Sequence, residues 1–156
     1  MKQFFTLMIL MASCFAASSQ GLVISQVYGA GGNAGATYQA DFVELFNQTT
    51  SPISLSGYSV QYASAAGTSW SKSDLPAVTL QSGQYFLLQM SSAGANGIAL
   101  PTPDATATPQ IAMSATAGKV ALVNSTTALT GTQCPPPFVA SIVDYVGFGS
   151  TANCFE

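Results

Sequence analysis

The sequence predicts an all-β protein that folds as a β-sandwich. Short runs rich in β-branched and aromatic residues recur along the chain, and glycine, proline, serine and asparagine separate them. No stretch of about ten residues shows the hydrophobic period of an amphipathic helix. With 156 residues, the chain is long enough for one domain with a hydrophobic core.

The N-terminal segment has the layout of a cleavable secretory signal peptide. Lys2 precedes the apolar run Phe4 to Ala12, and small residues follow it. This run is about half as long as the roughly twenty apolar residues of a membrane span. We therefore expect residues 1–20 to be cleaved and residues 21–156 to form the domain. Cys14 leaves one alternative open, in which the exported chain carries a lipid anchor on that cysteine.

The first strand is predicted at Leu22–Tyr28, where β-branched and aromatic residues dominate. A glycine-rich loop, Gly29–Tyr38, follows it. A phosphate-binding loop would also follow a strand, but it requires a helix behind it and usually a Lys-Ser or Lys-Thr pair. Here the strand-like residues 42–46 come next, so we interpret the glycine-rich segment as a surface loop.

The second strand, Phe42–Phe46, is predicted to lie inside a sheet. Phe42 and Glu44 fall on one side of it, and Val43 and Leu45 fall on the other. Because both faces carry apolar residues, both are expected to be covered. Glu44 is then expected to be partly buried and hydrogen-bonded.

A third strand is predicted to begin at Ile53–Leu55, and its alternation then slips. Before Gly57, the apolar residues Ile53 and Leu55 occupy odd positions. After it, the apolar residues Tyr58 and Val60 occupy even positions. Glycine tolerates backbone conformations that side chains disfavour. We therefore predict a bulge or kink at Ser56–Gly57 that turns the strand towards a new partner.

Trp70 lies in a small, polar stretch and is predicted to fold over the edge of the core. The alternative is an exposed stacking platform for a sugar or an aromatic ligand. Residues 91–109 are rich in proline, alanine and threonine and are predicted to cross the surface in an extended form, with an apolar contact at Ile98–Leu100. The remaining strands are predicted within Val78–Gly83 and at Gln84–Met90, Ile111–Met113, Lys119–Asn124 and Val139–Val146.

The predicted export decides how the other two cysteines are interpreted. Cys134 and Cys154 would lie in an oxidising compartment with one pairing open to them, so a disulfide is predicted. It would close a loop of about twenty residues and contribute on the order of 3 kcal/mol by restricting the unfolded chain. A reactive thiol or a metal-binding pair is not favoured, because the sequence lacks histidine and CxxC spacing.

Composition argues against several classes of function. Only 6% of the residues are charged, and histidine is absent. Beyond residue 20, Lys72 and Lys119 are the only basic residues, so no basic patch is expected to bind nucleic acid. The lack of histidine excludes Ser-His-Asp and Cys-His catalysis, and the few lysines leave little room for a Ser-Lys mechanism.

Three carboxylates, Asp41, Glu44 and Asp144, are expected inside or at the rim of the sheets. Together they could bind calcium, and a pair of them could hydrolyse a glycosidic bond. Carboxylates on sandwich strands are more often satisfied by backbone amides or tyrosine hydroxyls, here Tyr58 or Tyr145. We therefore expect a structural role for them, with calcium as a minor alternative and with no catalytic residue and no cofactor.

The runs DFVELFN at 41–47 and ISLSGYSV at 53–60 resemble the core signature of the lamin tail domain family. The opening run LVISQVYGAGGN and the closing run IVDYVGFGSTANCF support this resemblance, which covers residues 21–156. It implies an immunoglobulin-like sandwich that carries no catalytic motif and acts as an interaction or targeting module. Within this family the chain resembles bacterial secreted versions, which often precede a nuclease or phosphatase domain or an anchoring segment.

We therefore expect a secreted, monomeric, non-catalytic module without a transmembrane segment in its mature form. Its partner would be an extracellular or cell-surface protein or glycan, bound through surface loops such as Gly29–Tyr38 and Ala63–Asp74. One alternative is that the chain is the N-terminal accessory part of a larger secreted nuclease or phosphatase, continued beyond Glu156. A further alternative is a self-standing hydrolase that uses the acidic residues.

Overall fold

The computed structural model describes residues 21–133 and 139–155. The predicted signal peptide, Cys14 and Cys134 lie outside the described residues, so the predictions of cleavage, a lipid anchor and a disulfide stay predictions. Within the described ranges the chain forms strands and turns and no helix.

The strands are short and are separated by turns, as the recurring glycine and proline signals predict. Ten of them form in the part of the chain that the structure describes. In chain order they are β1 (Leu22–Tyr28), β2 (Phe42–Asn47), β3 (Ile53–Ser54), β4 (Ser59–Ser64), β5 (Ser71–Asp74), β6 (Thr79–Leu80), β7 (Tyr85–Gln89), β8 (Ala105–Thr106), β9 (Gly118–Val123) and β10 (Ile142–Phe148).

Two four-stranded sheets form the sandwich. The first sheet has the strand order β1-β2-β7-β8 and the second has the order β10-β9-β4-β5. The short strands β3 and β6 pair with each other outside both sheets. All paired strands are antiparallel except β7 and β8, which are parallel. The predicted all-β sandwich is confirmed.

The hydrophobic core lies between the two sheets. Val43 and Leu45 of β2 point into it and are fully buried, and so are Val60 of β4 and Leu122 of β9. Burying such an aliphatic side chain stabilises the fold by about 1.5–3 kcal/mol. Because β2 pairs with β1 on one side and β7 on the other, its predicted place inside a sheet is confirmed.

The predicted slip at Gly57 is the point where the chain changes partners. β3 pairs with β6, whereas β4 pairs with β5 and β9. Gly57 has a φ of 85°, and the N–H of Tyr58 donates to the carbonyl of Leu55 at 3.1 Å, which closes a tight turn. A side chain is disfavoured at this φ, so glycine lets the chain turn here at no steric cost.

One predicted strand, Ile111–Met113, does not form. The N–H of Ile111 donates to the carbonyl of Met90 at 2.6 Å. The N–H of Met113 donates to the Asp41 carboxylate at 2.7 Å. The Asp41 side chain therefore accepts the hydrogen bond that the backbone of a neighbouring strand would otherwise accept. The pattern of apolar residues at 111–113 does not show that a side chain takes this place.

Three other predictions need correction. β10 begins at Ile142 and not at Val139, because the N–H of Ile142 donates to the carbonyl of Val139 at 2.9 Å and closes a turn. The crossing at residues 91–109 includes the short strand β8, which the sequence analysis does not predict. The apolar contact predicted at Ile98–Leu100 is wrong for Ile98, whose side chain is 64% exposed.

Two β-bulges bring the sheets together along one edge. The register of β1 with β2 shifts between Ile24 and Gln26, and that of β10 with β9 shifts between Ile142 and Asp144. The Asp144 carboxylate accepts the N–H of Ile24 at 2.6 Å, across the two sheets, and the N–H of Tyr145 at 2.9 Å. A bulge interrupts the ladder of backbone hydrogen bonds. At the bulge of β1, Asp144 of the other sheet accepts the N–H of Ile24 that the ladder leaves unpaired.

The outer faces of the two sheets are covered differently. On the second sheet, a further hydrophobic cluster that includes Trp70, Leu129 and Cys154 covers the outer face, and every residue of β9 is buried. On the first sheet, Phe46 of β2 remains half-buried, and Tyr85 of β7 is 53% exposed. The outer face of the first sheet is therefore the more accessible of the two.

Replacing Asp144 by asparagine is expected to lower the free energy of unfolding by about 1–3 kcal/mol. The amide has one acceptor oxygen, so its NH2 group would face the N–H of either Ile24 or Tyr145. Urea unfolding near pH 7 measures the loss. The control is Asp74→Asn, which alters an exposed carboxylate paired with Lys72 on β5, and equal losses in the two variants would contradict the role of Asp144.

Candidate functional site

One end of the sandwich is formed by the glycine-rich loop Gly29–Tyr38 and the segment 91–113. Gly32 and Asn96 form a β-bridge between them. The two backbones approach so closely that a Cβ on Gly32 would lie 2.5 Å from the Cα of Gly94. The glycines therefore allow backbone contact between the two segments. Gly29–Tyr38 is a loop, as predicted, and the structure adds that it packs against the segment 91–113.

Asp41 joins this loop end to β2. Its side chain is buried, its Oδ1 accepts the N–H of Gly31 at 2.7 Å, and its Oδ2 accepts the N–H of Met113 at 2.7 Å. Its own N–H donates to the Ser91 hydroxyl at 2.8 Å, and its carbonyl accepts the N–H of Met90 at 2.7 Å. One residue thus holds three neighbouring segments in place.

The environment of Asp41 suits a structural role better than a catalytic one. Burial raises its pKa above the ordinary value of 3.8, while the hydrogen bonds from Met113 and Gly31 act in the opposite direction. A catalytic carboxyl needs an oxygen that can reach a substrate. Both oxygens of Asp41 accept main-chain N–H groups, which are the expected partners of a buried carboxylate in a sandwich.

A polar cavity of about 330 Å³ opens beside Asp41, between the two segments of the loop end. The exposed side chains of Asn33, Ser92 and Gln110 line it, and the Ser92 hydroxyl donates to the Gln110 amide oxygen at 2.5 Å. No lysine contributes to its lining, and its one carboxylate already has main-chain partners. We call it the polar cavity; it offers uncharged donors and acceptors to a ligand.

A second cavity, of about 210 Å³, lies on the outer face of the first sheet. Tyr38 and Phe42 form an edge-to-face pair with ring centroids 5.7 Å apart, and Tyr28 stacks on Phe42 at 5.5 Å. We call it the aromatic cavity. Its lining combines aromatic and aliphatic side chains with one amide and one carboxylate: Gln26, Tyr38, Phe42, Glu44, Leu87, Leu100 and Pro101.

The structure does not bring the three candidate carboxylates into one site. Glu44 faces outward from β2, where its Oε1 accepts the Ser25 hydroxyl at 2.6 Å, which confirms that it is partly buried and hydrogen-bonded. Asp41 lies at the loop end, and Asp144 bonds to main-chain N–H groups between the sheets, not to a tyrosine hydroxyl. Within residues 21–133 and 139–155, no three Asp, Glu, Cys or His side chains lie close enough together to hold a metal ion.

A comparison with known protein families shows which family the chain belongs to. Residues 16–133 match the model of the lamin tail domain. The chain belongs to the lamin tail domain family. The match extends from before β1 to beyond β9, so it includes the whole first sheet and the loop end. No curated protein matches the chain.

The lamin tail domain is an immunoglobulin-like domain of the binding type and is generally non-catalytic, and no catalytic family is indicated. The match over residues 16–133 confirms the resemblance to this family. Among the described residues, no helix is long and apolar enough to cross a membrane.

Trp70 covers the outer face of the second sheet of this lamin tail domain. It is 7% exposed, and its indole N–H donates to the carbonyl of Gly131 at 2.9 Å. Its ring meets that of Tyr145 edge to face, with centroids 6.1 Å apart. The predicted cap is confirmed, and the alternative of an exposed stacking platform is wrong.

Lys119 is fully buried beneath this cap. Its ammonium donates to the carbonyls of Gly67 at 2.8 Å and Thr132 at 3.1 Å, and to the side-chain oxygen of Asn153 at 3.1 Å. It also lies 5.5 Å from the centroid of the Trp70 ring. Three acceptors and a ring face replace the water that an ammonium loses on burial.

Sequence reasoning missed the burial of Lys119 and treated it only as a charge. A signal was present, because Lys119 shares its strand face with Ala121 and Val123, and a face with that composition is usually buried. What no pattern shows is where the three acceptor oxygens come from, since they lie on loops far apart in the chain.

Cys154 is in a position that suits the predicted disulfide. It is 5% exposed, and its Sγ lies 3.4 Å from the carbonyl oxygen of Gln133, the residue that precedes Cys134. Because Cys134 lies outside the described residues, the pairing stays a prediction.

Asp41→Asn is expected to lower the free energy of unfolding of the lamin tail domain by about 1–3 kcal/mol near pH 7, because the amide NH2 would face the N–H of Gly31 or Met113. The pKa of Asp41 is higher in the folded protein than in the unfolded chain. The wild type should therefore gain stability relative to the variant as the pH falls through the folded pKa towards 3.8. Urea unfolding along a pH series measures both effects. If the difference in free energy of unfolding between the wild type and Asp41→Asn became smaller in acid, the predicted pH dependence would be wrong.

Lys119→Met tests the buried ammonium. Burial lowers the pKa of Lys119 below 10.5, so the unfolded chain binds this proton more tightly than the folded protein does. The free energy of unfolding of the wild type should therefore rise relative to that of the variant as the pH rises from the lowered pKa of the folded protein towards 10.5. Urea unfolding at several pH values checks this. Lys72→Met, on β5, controls for the loss of one lysine, and the same pH dependence in both variants would exclude an effect specific to Lys119.

Proposed function

We propose that this lamin tail domain is a secreted, non-catalytic binding module whose ligand enters the polar cavity beside Asp41. The cavity itself is the observation that supports the proposal. Loops held by a rigid sheet scaffold are common places for binding residues. Asp41 fixes the loops through main-chain hydrogen bonds and leaves the exposed side chains of the cavity to the ligand.

The chemistry of the polar cavity favours a neutral ligand rich in hydroxyl groups, such as a glycan. The amides of Asn33 and Gln110 and the hydroxyl of Ser92 can each donate and accept a hydrogen bond. Because no lysine lines the cavity, it has no charge that would attract phosphate or nucleic acid. The volume of about 330 Å³ lies at the lower end of the range of ligand pockets, which suits one or two sugar rings.

Export is supported by the sequence alone. Residues 1–20 have the pattern of a signal peptide, and the low content of charged residues is typical of secreted β-proteins. The alternative, in which the domain accompanies a nuclease or phosphatase domain encoded beyond Glu156, stays a prediction.

The test is a binding screen of the chain without residues 1–20 against a glycan array and cell-envelope fractions at physiological salt, with duplex DNA as the negative probe. We expect retention on at least one glycan class or envelope fraction, and none on DNA. In the variant Gln110→Ala, binding should weaken by about tenfold, because one residue that both donates and accepts is removed.

The matched control is Gln81→Ala, which replaces an exposed glutamine in the turn before β7, outside the cavity lining. Unchanged binding by Gln110→Ala, or equal weakening in both variants, would exclude the polar cavity as the site. Lack of retention on every glycan and envelope fraction would refute the binding function through this cavity.

A further inference from the structure

We infer that the aromatic cavity on the outer face of the first sheet binds one cationic side chain, lysine or arginine, of a partner protein. This second site is separate from the polar cavity, and nothing in the proposed glycan binding requires it. The inference depends on four properties of the aromatic cavity: its carboxylate, its aromatic and aliphatic walls, its size and its accessibility.

The carboxylate of Glu44 has no cationic partner in the described part of the chain. Its Oε1 accepts the Ser25 hydroxyl at 2.6 Å, and no described group donates to its other oxygen. The two lysines of the described residues are engaged elsewhere. Lys72 pairs with Asp74 at 2.7 Å, and Lys119 is buried beneath Trp70 on the second sheet. A carboxylate that has no counter-charge and lies beside apolar walls can form a charge-assisted hydrogen bond with a cation.

The walls around Glu44 suit the rest of a basic side chain. Tyr38 and Phe42 present aromatic surface, and Leu87 and Leu100 present aliphatic surface. Lysine and arginine have long apolar stems with a charge at the tip, so they can contact apolar walls and reach a carboxylate at the same time. Attraction between the cation and an aromatic ring adds to this contact.

The size and polarity of the cavity argue against a sugar. Its volume of about 210 Å³ is below the range of typical small-molecule pockets and matches a single long side chain. The polar groups of its lining are the Gln26 amide, the Glu44 carboxylate and the Tyr38 hydroxyl, which are too few to satisfy all the hydroxyls of a sugar ring. One cationic group requires only the single carboxylate.

The surroundings of the cavity can contact the protein that presents this side chain. Among residues 21–133 and 139–155, the hydrophobic cluster that covers the second sheet has no counterpart on the outer face of the first sheet. Ile98 forms a bridge with Tyr38 and is 64% exposed, and Tyr85 on β7 of the same sheet is 53% exposed. Exposed apolar and aromatic residues next to a charged pocket are typical of protein interaction surfaces.

The experiment titrates the domain with N-acetyl-lysine N-methylamide, with its arginine counterpart and with the norleucine compound, which has a similar apolar stem and no charge. Binding is followed by the amide signals of Glu44 and Leu87 and the side-chain signal of Gln26 in two-dimensional NMR. We expect the cationic probes to shift these signals at millimolar concentration. The norleucine probe should bind about tenfold more weakly, since it lacks the charge-assisted contact.

Two further measurements identify Glu44 as the recognising group. Glu44→Gln keeps the shape of the side chain and should weaken binding of the lysine probe by about tenfold, whereas Asp74→Asn, on the other sheet, should not change it. In the wild type, raising the salt concentration from about 0.05 to about 0.5 M should weaken binding of the cationic probes and leave the norleucine probe unaffected.

The inference would be overturned by equal affinity for the norleucine and lysine probes, or by unchanged affinity in Glu44→Gln. D-Glucosamine serves as a probe for a charged sugar, and a preference for it over lysine would point to an envelope glycan and reject a protein partner. Gln110→Ala should leave the lysine probe unaffected, so failure of this inference and failure of the polar cavity are separate results.

Discussion

The hydrogen bonds of Asp41 connect the glycine-rich loop with the segment 91–113, and the polar cavity lies between these two parts of the domain. Through its two carboxylate oxygens it holds Gly31 in the glycine-rich loop and Met113 in the segment that leads to β9, while its main chain pairs with Met90 and Ser91. The first of these segments follows β1 of the first sheet, and the second enters the second sheet. A single buried carboxylate therefore fixes both the relative position of the two loops and the passage of the chain between the sheets. The polar cavity opens between these loops, beside the carboxylate that holds them in place.

Much of the fold could be predicted from local pattern, because strand alternation and turn residues act over a few positions. Leu22–Tyr28 is predicted with its observed bounds, and Gly57 marks the change of partner because only a glycine accepts its backbone conformation without strain. Prediction failed where the partner of a backbone group is a distant side chain. Ile111–Met113 has the composition of a strand, but the Asp41 carboxylate supplies its acceptor from 72 residues away in the chain.

The candidate sites were less predictable than the fold for the same reason. Glu44 could be singled out from alternation, as a carboxylate on a strand with apolar residues on both faces. The aromatic cavity around it depends on Leu100 and Tyr38, which reach the first sheet from two loops. Lys119 was not predicted to be buried, because lysine is usually exposed. It lies in the interior because the carbonyls of two loops accept hydrogen bonds from its ammonium. Contacts of this kind depend on the path of the loops. Local sequence patterns do not predict that path, because the contacting residues are far apart in the chain.

The edges of the two sheets have a consequence for how copies of this domain behave when many are close together. A long, flat edge strand offers free N–H and C=O groups to the edge of another copy, and such pairing leads to aggregation. Here β1 and β10 are bulged and bound to each other through Asp144, β5 carries the charged residues Lys72 and Asp74, and β8 is two residues long. None of these four edges is a good template for a further strand. Copies of the domain that lie close together are therefore protected from pairing through these four edges.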